Sequence, residues 1–186
     1  MKEDMEKIKE QLEQSSNLLS EYKQMIKDLR KEELEARAKV KELKDLLREE
    51  KRRIEKSNVP GLPSKYTEHV QTAFQHVDMI FEKLKEVPLN ITEIQDLLEK
   101  AVLEVESLQR YTEEIIEQVY LIEKVIQYGN RYRSNNKQLS KRLEQAERLF
   151  RSYQFDDSLE ECAAAIETVE PGALRKIQKL IDHEQE

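Results

Sequence analysis

The sequence predicts an elongated all-α protein built from successive three-helix bundles that share a long helix and end in a short helical cap. Three observations carry this expectation. Charged and hydrophobic residues each make up 38% of the 186 residues, a balance that suits narrow helical seams better than a wide globular core. Apolar residues recur at 3-4 spacing over stretches far longer than an ordinary globular helix. All four prolines (Pro60, Pro63, Pro88, Pro171) and two of the three glycines (Gly61, Gly172) fall between those periodic stretches, where a fixed φ and a missing N–H do no harm.

Residues 2–56 contain neither proline nor glycine, and a seam runs from Met5 through Ile8, Leu12, Leu19, Tyr22, Ile26, Leu29, Ala36, Val40, Leu43 and Leu47 to Ile54. At 1.5 Å per residue such a helix is about 80 Å long. Ser15, Glu33 and Glu50 are the polar seam positions, and a bend or a change of partner is expected near Glu33. Ser57–Ser64 ends this helix and caps a second, spanning about 65–86, with Tyr66, Val70, Phe74, Val77, Phe81 and Leu84 on one face. Asn90 followed by Glu93 has the form of a capping box and opens a third helix reaching to about Ser134. Past Tyr111 its apolar surface widens with Ile116, Tyr120, Leu121, Val125, Tyr128 and Tyr132, so it needs more than one partner helix there. Three short helices follow. The fourth ends near Ser152, the fifth is expected to be capped by Asp156 or Asp157, and the sixth is expected to hold Pro171 in its first turn.

These lengths constrain the packing. A second helix of about twenty residues returns along the first only to about residue 33, so the third begins at that level and runs on into a new bundle with the last three. A helix shared by two successive three-helix bundles is the plan of spectrin-like repeats. The expected domains are residues 1–110, a coiled-coil repeat, and 111–186, a C-terminal bundle. Residues 1–32 keep an apolar seam without a partner in the chain, to be completed by upstream sequence or by a second copy in an antiparallel homodimer.

Composition narrows the function. Net charge is −7, which argues against general nucleic-acid binding, but residues 131–151 hold seven basic and two acidic side chains, suited to an acidic partner. Tyr128 and Tyr132 beside arginines could stack on bases, yet the acidic remainder of the chain disfavours that reading. The lone cysteine, Cys162, reads as a small core residue in a reducing compartment. His69 and His76 lie seven residues apart with no cysteine or third histidine nearby, so no metal site is expected. No phosphate-binding loop or nucleophile context is present, so neither catalytic residues nor cofactors are expected. No apolar run is long enough to span a membrane.

The remaining glycine, Gly129, sits in helical periodicity at a cost of roughly 1 kcal/mol relative to alanine. Around it Gln127, Tyr128, Asn130, Arg131, Tyr132 and Arg133 form a candidate partner-binding patch, with Gln127, Asn130 and Arg131 on one helical face. The bland alternative is that Gly129 only admits a neighbouring helix. Gln-Tyr-Gly-Asn-Arg-Tyr-Arg (127–133), Ala-Glu-Arg-Leu-Phe-Arg-Ser-Tyr (146–153) and Glu-Pro-Gly-Ala (170–173) together resemble the C-terminal part of the bacterial septation ring formation regulator EzrA family. That resemblance implies a fragment of a longer protein whose N-terminal transmembrane helix, absent here, holds it to the cytoplasmic face of the cell membrane at the division septum. It further implies binding to the tubulin-like protein FtsZ and other division proteins, restraint of FtsZ ring assembly, and a midcell-localisation patch at Gln127, Asn130 and Arg131. A purely structural spacer is the other reading.

Overall fold

The computed structural model describes residues 2–184, with side chains from Glu3 onward. Met1, Gln185 and Glu186, the outermost residues of the expected 1–110 and 111–186 segments, lie outside the described residues. The elements are α1 (Lys2–Lys56), α2 (Ser64–Lys83), α3 (Ile91–Gly129), a 3-10 turn (Asn130–Tyr132), α4 (Lys137–Arg151), α5 (Phe155–Val169) and α6 (Ala173–Glu184). The protein is all-α, with no strand among the described residues. It divides into two units, one of Met1–Leu46 and Ala73–Glu104 and one of Leu47–Thr72 and Val105–Glu186.

In the first unit Ala36, Val40 and Leu43 of α1, Ala73, Val77, Ile80 and Leu84 of α2, and Ile94, Leu98 and Ala101 of α3 are buried. The buried stripe of α2 differs from the expected one. Phe81 is exposed, and Lys44 and Lys85 lie over its ring at 4.6 and 4.4 Å. Ala73 and Ile80 take the inward positions because a coiled-coil seam advances 3.5 residues per turn, which selects 66, 73 and 80 with 77 and 84 and leaves 74 and 81 one position aside. Basic residues on the flank of α1 reach α2: Arg37 donates to the Leu84 carbonyl at 2.8 Å, and Lys44 pairs with Asp78 at 2.7 Å. Residues 3–31 of α1 are exposed, among them Ile8, Leu12, Leu19 and Ile26 of the seam. Near Glu33 the helix runs on unbroken, with Glu33 held by Arg37 one turn later at 2.8 Å.

In the second unit Leu47 and Ile54 of α1, Tyr66 of α2, and Leu108, Ile115, Val119, Ile122 and Val125 of α3 are buried, joined by Leu139, Leu143, Phe155, Ile166 and Ile177 of the short helices. Two polar groups in this core satisfy each other. The Tyr66 and Thr112 hydroxyls are 2.8 Å apart, and Thr112 donates to the Leu108 carbonyl one turn back. Glu50 occupies a seam position at 6% exposure with Oε2 unbonded, and the Arg53 guanidinium lies 3.8 Å from it.

The starts of the helices differ in detail from the expected caps. Asn90 Oδ1 accepts the Glu93 N–H, but the Glu93 carboxylate turns to Lys83 at 3.3 Å instead of completing a capping box. Asn136 caps α4 by accepting the Leu139 N–H at 3.0 Å. Gln154, rather than Asp156 or Asp157, is the N-cap of α5, and it makes no side-chain cap bond. The two aspartates fall in the first turn, where they favour the positive helix end, and Asp156 accepts from Gln118 at 2.6 Å. Pro171 precedes α6 and is not in its first turn. Residues 170–173 form a turn with proline second, Gly172 third at φ +85°, and the Ala173 N–H bonded to the Glu170 carbonyl at 3.0 Å. The amides that lead into α6 are satisfied from the preceding helix, because the Glu167 carboxylate accepts the Gly172 and Leu174 N–H groups at 2.8 and 2.9 Å.

Candidate functional site

The predicted patch lies where α3 stops. Gly129 is its last residue, buried, and a Cβ there would stand 2.9 Å from Leu143 Cδ1 and 3.7 Å from Ile166 Cδ1. The missing side chain lets α4 and α5 approach the end of α3 closely. Beyond it the chain tightens into a 3-10 turn, with the Arg133 N–H bonded to the Asn130 carbonyl, and the Asn136 cap then starts α4. α3 is therefore shorter than expected: Asn130, Arg131 and Tyr132 stand on the turn and not on a continuing α-helix.

The six patch residues separate into two groups. Gln127, Asn130 and Arg131 are exposed, while Tyr128, Tyr132 and Arg133 are half-buried and engaged. Tyr128 and Tyr132 both donate their hydroxyls to Glu170 Oε2, at 2.9 and 2.6 Å, and Lys176 of α6 binds the other oxygen of the same carboxylate. These bonds hold Glu170 well below the usual carboxylate range, at about 2, with the lysine contributing most. The shared carboxylate in turn raises the Tyr132 hydroxyl. Arg133 pairs with Glu147 of α4 at 2.7 Å, and its Nε is buried without a hydrogen-bond partner. Arg131 lies over the Tyr128 ring, 4.1 Å from the centroid.

The tyrosines and Arg133 thus form a brace, and Gln127, Asn130 and Arg131 form the outer surface. Sequence reasoning missed Glu170, Lys176 and Glu147, the groups that hold the brace. The Glu-Pro-Gly-Ala run was visible, but its contact with tyrosines about forty residues earlier had no local signal.

Elsewhere in the second unit Cys162 is fully buried, and burial pushes its thiol up to about 12, so it is a core residue and not a reactive one. Among the described residues no group of three His, Cys, Asp or Glu side chains is placed to hold a metal ion. His69 lies near the Tyr111 ring, and His76 meets Glu104 at 2.5 Å. No described helix is long and apolar enough to cross a membrane.

Fold and site together define a class: an all-α bundle protein carrying a braced polar patch. Residues 1–181 match the family model described as septation ring formation regulator, EzrA, and the chain belongs to that family. It is 39% identical over 178 residues to a septation ring formation regulator EzrA of Bacillus licheniformis, covering 96% of this chain and 32% of that protein. Relatives of the same description from Geobacillus sp. and Bacillus subtilis are 42% and 45% identical, over 81% and 68% of this chain and 27% and 23% of theirs. The chain therefore spans no more than about a third of these curated relatives. No solved structure matches it.

Proposed function

We propose that this chain is the patch-bearing portion of a cytoskeletal regulator of bacterial cell division, one that engages FtsZ or another division protein at the cytoplasmic face of the membrane at the septum. Residues 1–110 serve as a coiled-coil repeat and residues 111–186 as the bundle that presents the patch. Self-association through the apolar stripe of residues 1–32 belongs to the same reading. What supports the binding role is a single observation: Gln127, Asn130 and Arg131 are exposed, and no side-chain hydrogen bond or ion pair among the described residues occupies them, whereas their neighbours Tyr128, Tyr132 and Arg133 are each tied into the fold. A surface so supported and left unpaired fits recognition better than spacing.

The test is Arg131→Glu in the full-length protein, followed by fluorescence at the septum and by co-sedimentation with FtsZ polymers. Loss of both with an unchanged melting temperature supports the reading. Wild-type localisation and binding from a normally folded variant would overturn it in favour of a spacer.

A further inference from the structure

Between the end of α3 and α6 runs a groove of about 210 Å³. Ile177, Tyr128 and Leu180, the last 55% exposed, supply its apolar lining. Gln127 and Arg131 line it as well, together with the Lys124–Glu184 pair, 2.5 Å apart. The cations around the groove are unequal. Lys124 is committed to Glu184, Lys176 to Glu170 and Arg133 to Glu147. Arg131 has no carboxylate partner among the described residues, and its stacking on Tyr128 occupies the face of the guanidinium while leaving the N–H edge able to donate.

We propose that the recognition surface continues across this groove onto α6, and that its occupant is an extended segment of a partner protein presenting a carboxylate to Arg131 and an adjacent apolar side chain to Leu180 and Tyr128. The inference rests on the patch reading above and adds the chemistry of the ligand and a contact residue 49 positions from Arg131 in sequence. A single unpaired arginine asks for one carboxylate, which its fork can take through two bonds. The amides of Gln127 and Asn130 each donate and accept, as an extended backbone requires. Leu180 offers apolar area that a polar segment alone would leave wet.

The experiment titrates the isotope-labelled 186-residue chain with the capped hexapeptide Gly-Ser-Glu-Leu-Ser-Gly and follows amide shifts. Saturable shifts confined to 127–131 and 177–184 are expected. Replacing the peptide's glutamate by glutamine, or making Arg131→Glu or Leu180→Ser in the protein, should weaken binding by about tenfold, the scale of one charge-assisted bond or one buried side chain. Leu180→Ser should melt like the wild type. Absence of saturation at millimolar peptide, shifts elsewhere, or equal binding of a lysine-substituted peptide overturns the proposal. So does binding to phosphatidylglycerol vesicles that needs Arg131 and Leu180 while the peptide fails, since the groove would then face a membrane. If Arg131→Glu abolishes septal targeting and Leu180→Ser leaves it intact, the patch reading stands and its extension to α6 falls.

Discussion

Gly129 and Arg131 stand two positions apart and answer to different demands. Gly129 is a packing residue: Gly129→Leu forces a side chain against Leu143 and Ile166 and should cost about 1–3 kcal/mol in urea unfolding, as overpacking does. Arg131→Glu, at an exposed site, should shift stability by less than about 1 kcal/mol while removing partner binding. The sequence revealed Gly129 because a glycine inside a helical period is anomalous by itself. It also put six residues into one patch, and the structure divides them. Periodicity adds Tyr128 and Tyr132 to the widened apolar face of the third helix while the patch reading turns them toward a partner, and neither shows the carboxylate that holds them, 42 and 38 residues away. Arg133 misleads in the same way. Arg133→Ala should lower the melting temperature more than Arg131→Ala, because it strips a half-buried Glu147 of its cation.

At the scale of elements, the joints hold what the periodicity could not show. The α4–α5 turn passes through Tyr153 in the left-handed region, at φ +61°, and the tyrosine ring lies on Gly61 of the α1–α2 connection. A Cβ on Gly61 would collide with that ring. Only the far end of the ring is met, and Tyr153 is 39% exposed, so the ring can swing aside and Gly61→Ala should cost the second unit no more than about 1 kcal/mol. Much of that loss should disappear in a Tyr153→Asn background, where a smaller residue tolerates the same backbone; a double-mutant cycle by chemical denaturation measures the coupling. Gly61 looked like an ordinary loop glycine beside proline, and no sequence rule links it to a residue in a distant turn. The attachment of α6 is electrostatic in part. Glu167, Glu170 and Glu184 all lie below the ordinary carboxylate range, held respectively by the Gly172 and Leu174 amides, by Lys176 with the two tyrosines, and by Lys124 with Tyr120. A depressed folded value contributes stability above the unfolded value, about 4.3, and loses it as pH falls through the folded one. For Glu170 that window runs down to about 2. Amide signals of α6 should weaken across it before those of α3, and Glu170→Gln should flatten the dependence.

For the molecule as a whole, the long first helix was legible to the residue, Lys2–Lys56, because fifty-five residues without a breaker leave the periodicity uninterrupted. What covers its first half was not. Ile8, Leu12, Leu19 and Ile26 are more than half exposed on the stripe whose continuation, Val40 to Leu47, is buried to 2% or less. The 186-residue chain should self-associate through this stripe as concentration rises, by sedimentation, and Leu12→Lys with Leu19→Lys and Ile26→Lys should abolish it without altering thermal unfolding. A single monomeric species at every concentration in the wild type would refute the homodimer. The far end of the chain behaves differently. Glu167 and Glu170 sit one helical turn apart at the close of α5; the first accepts the Gly172 and Leu174 N–H groups where α6 begins, and the second accepts from the two patch tyrosines. The proposed recognition surface is therefore not portable. Residues 127–133 grafted onto another helix would carry the right side chains but leave behind the carboxylate that orients them, so a transplanted patch should be inert unless α5 and α6 travel with it.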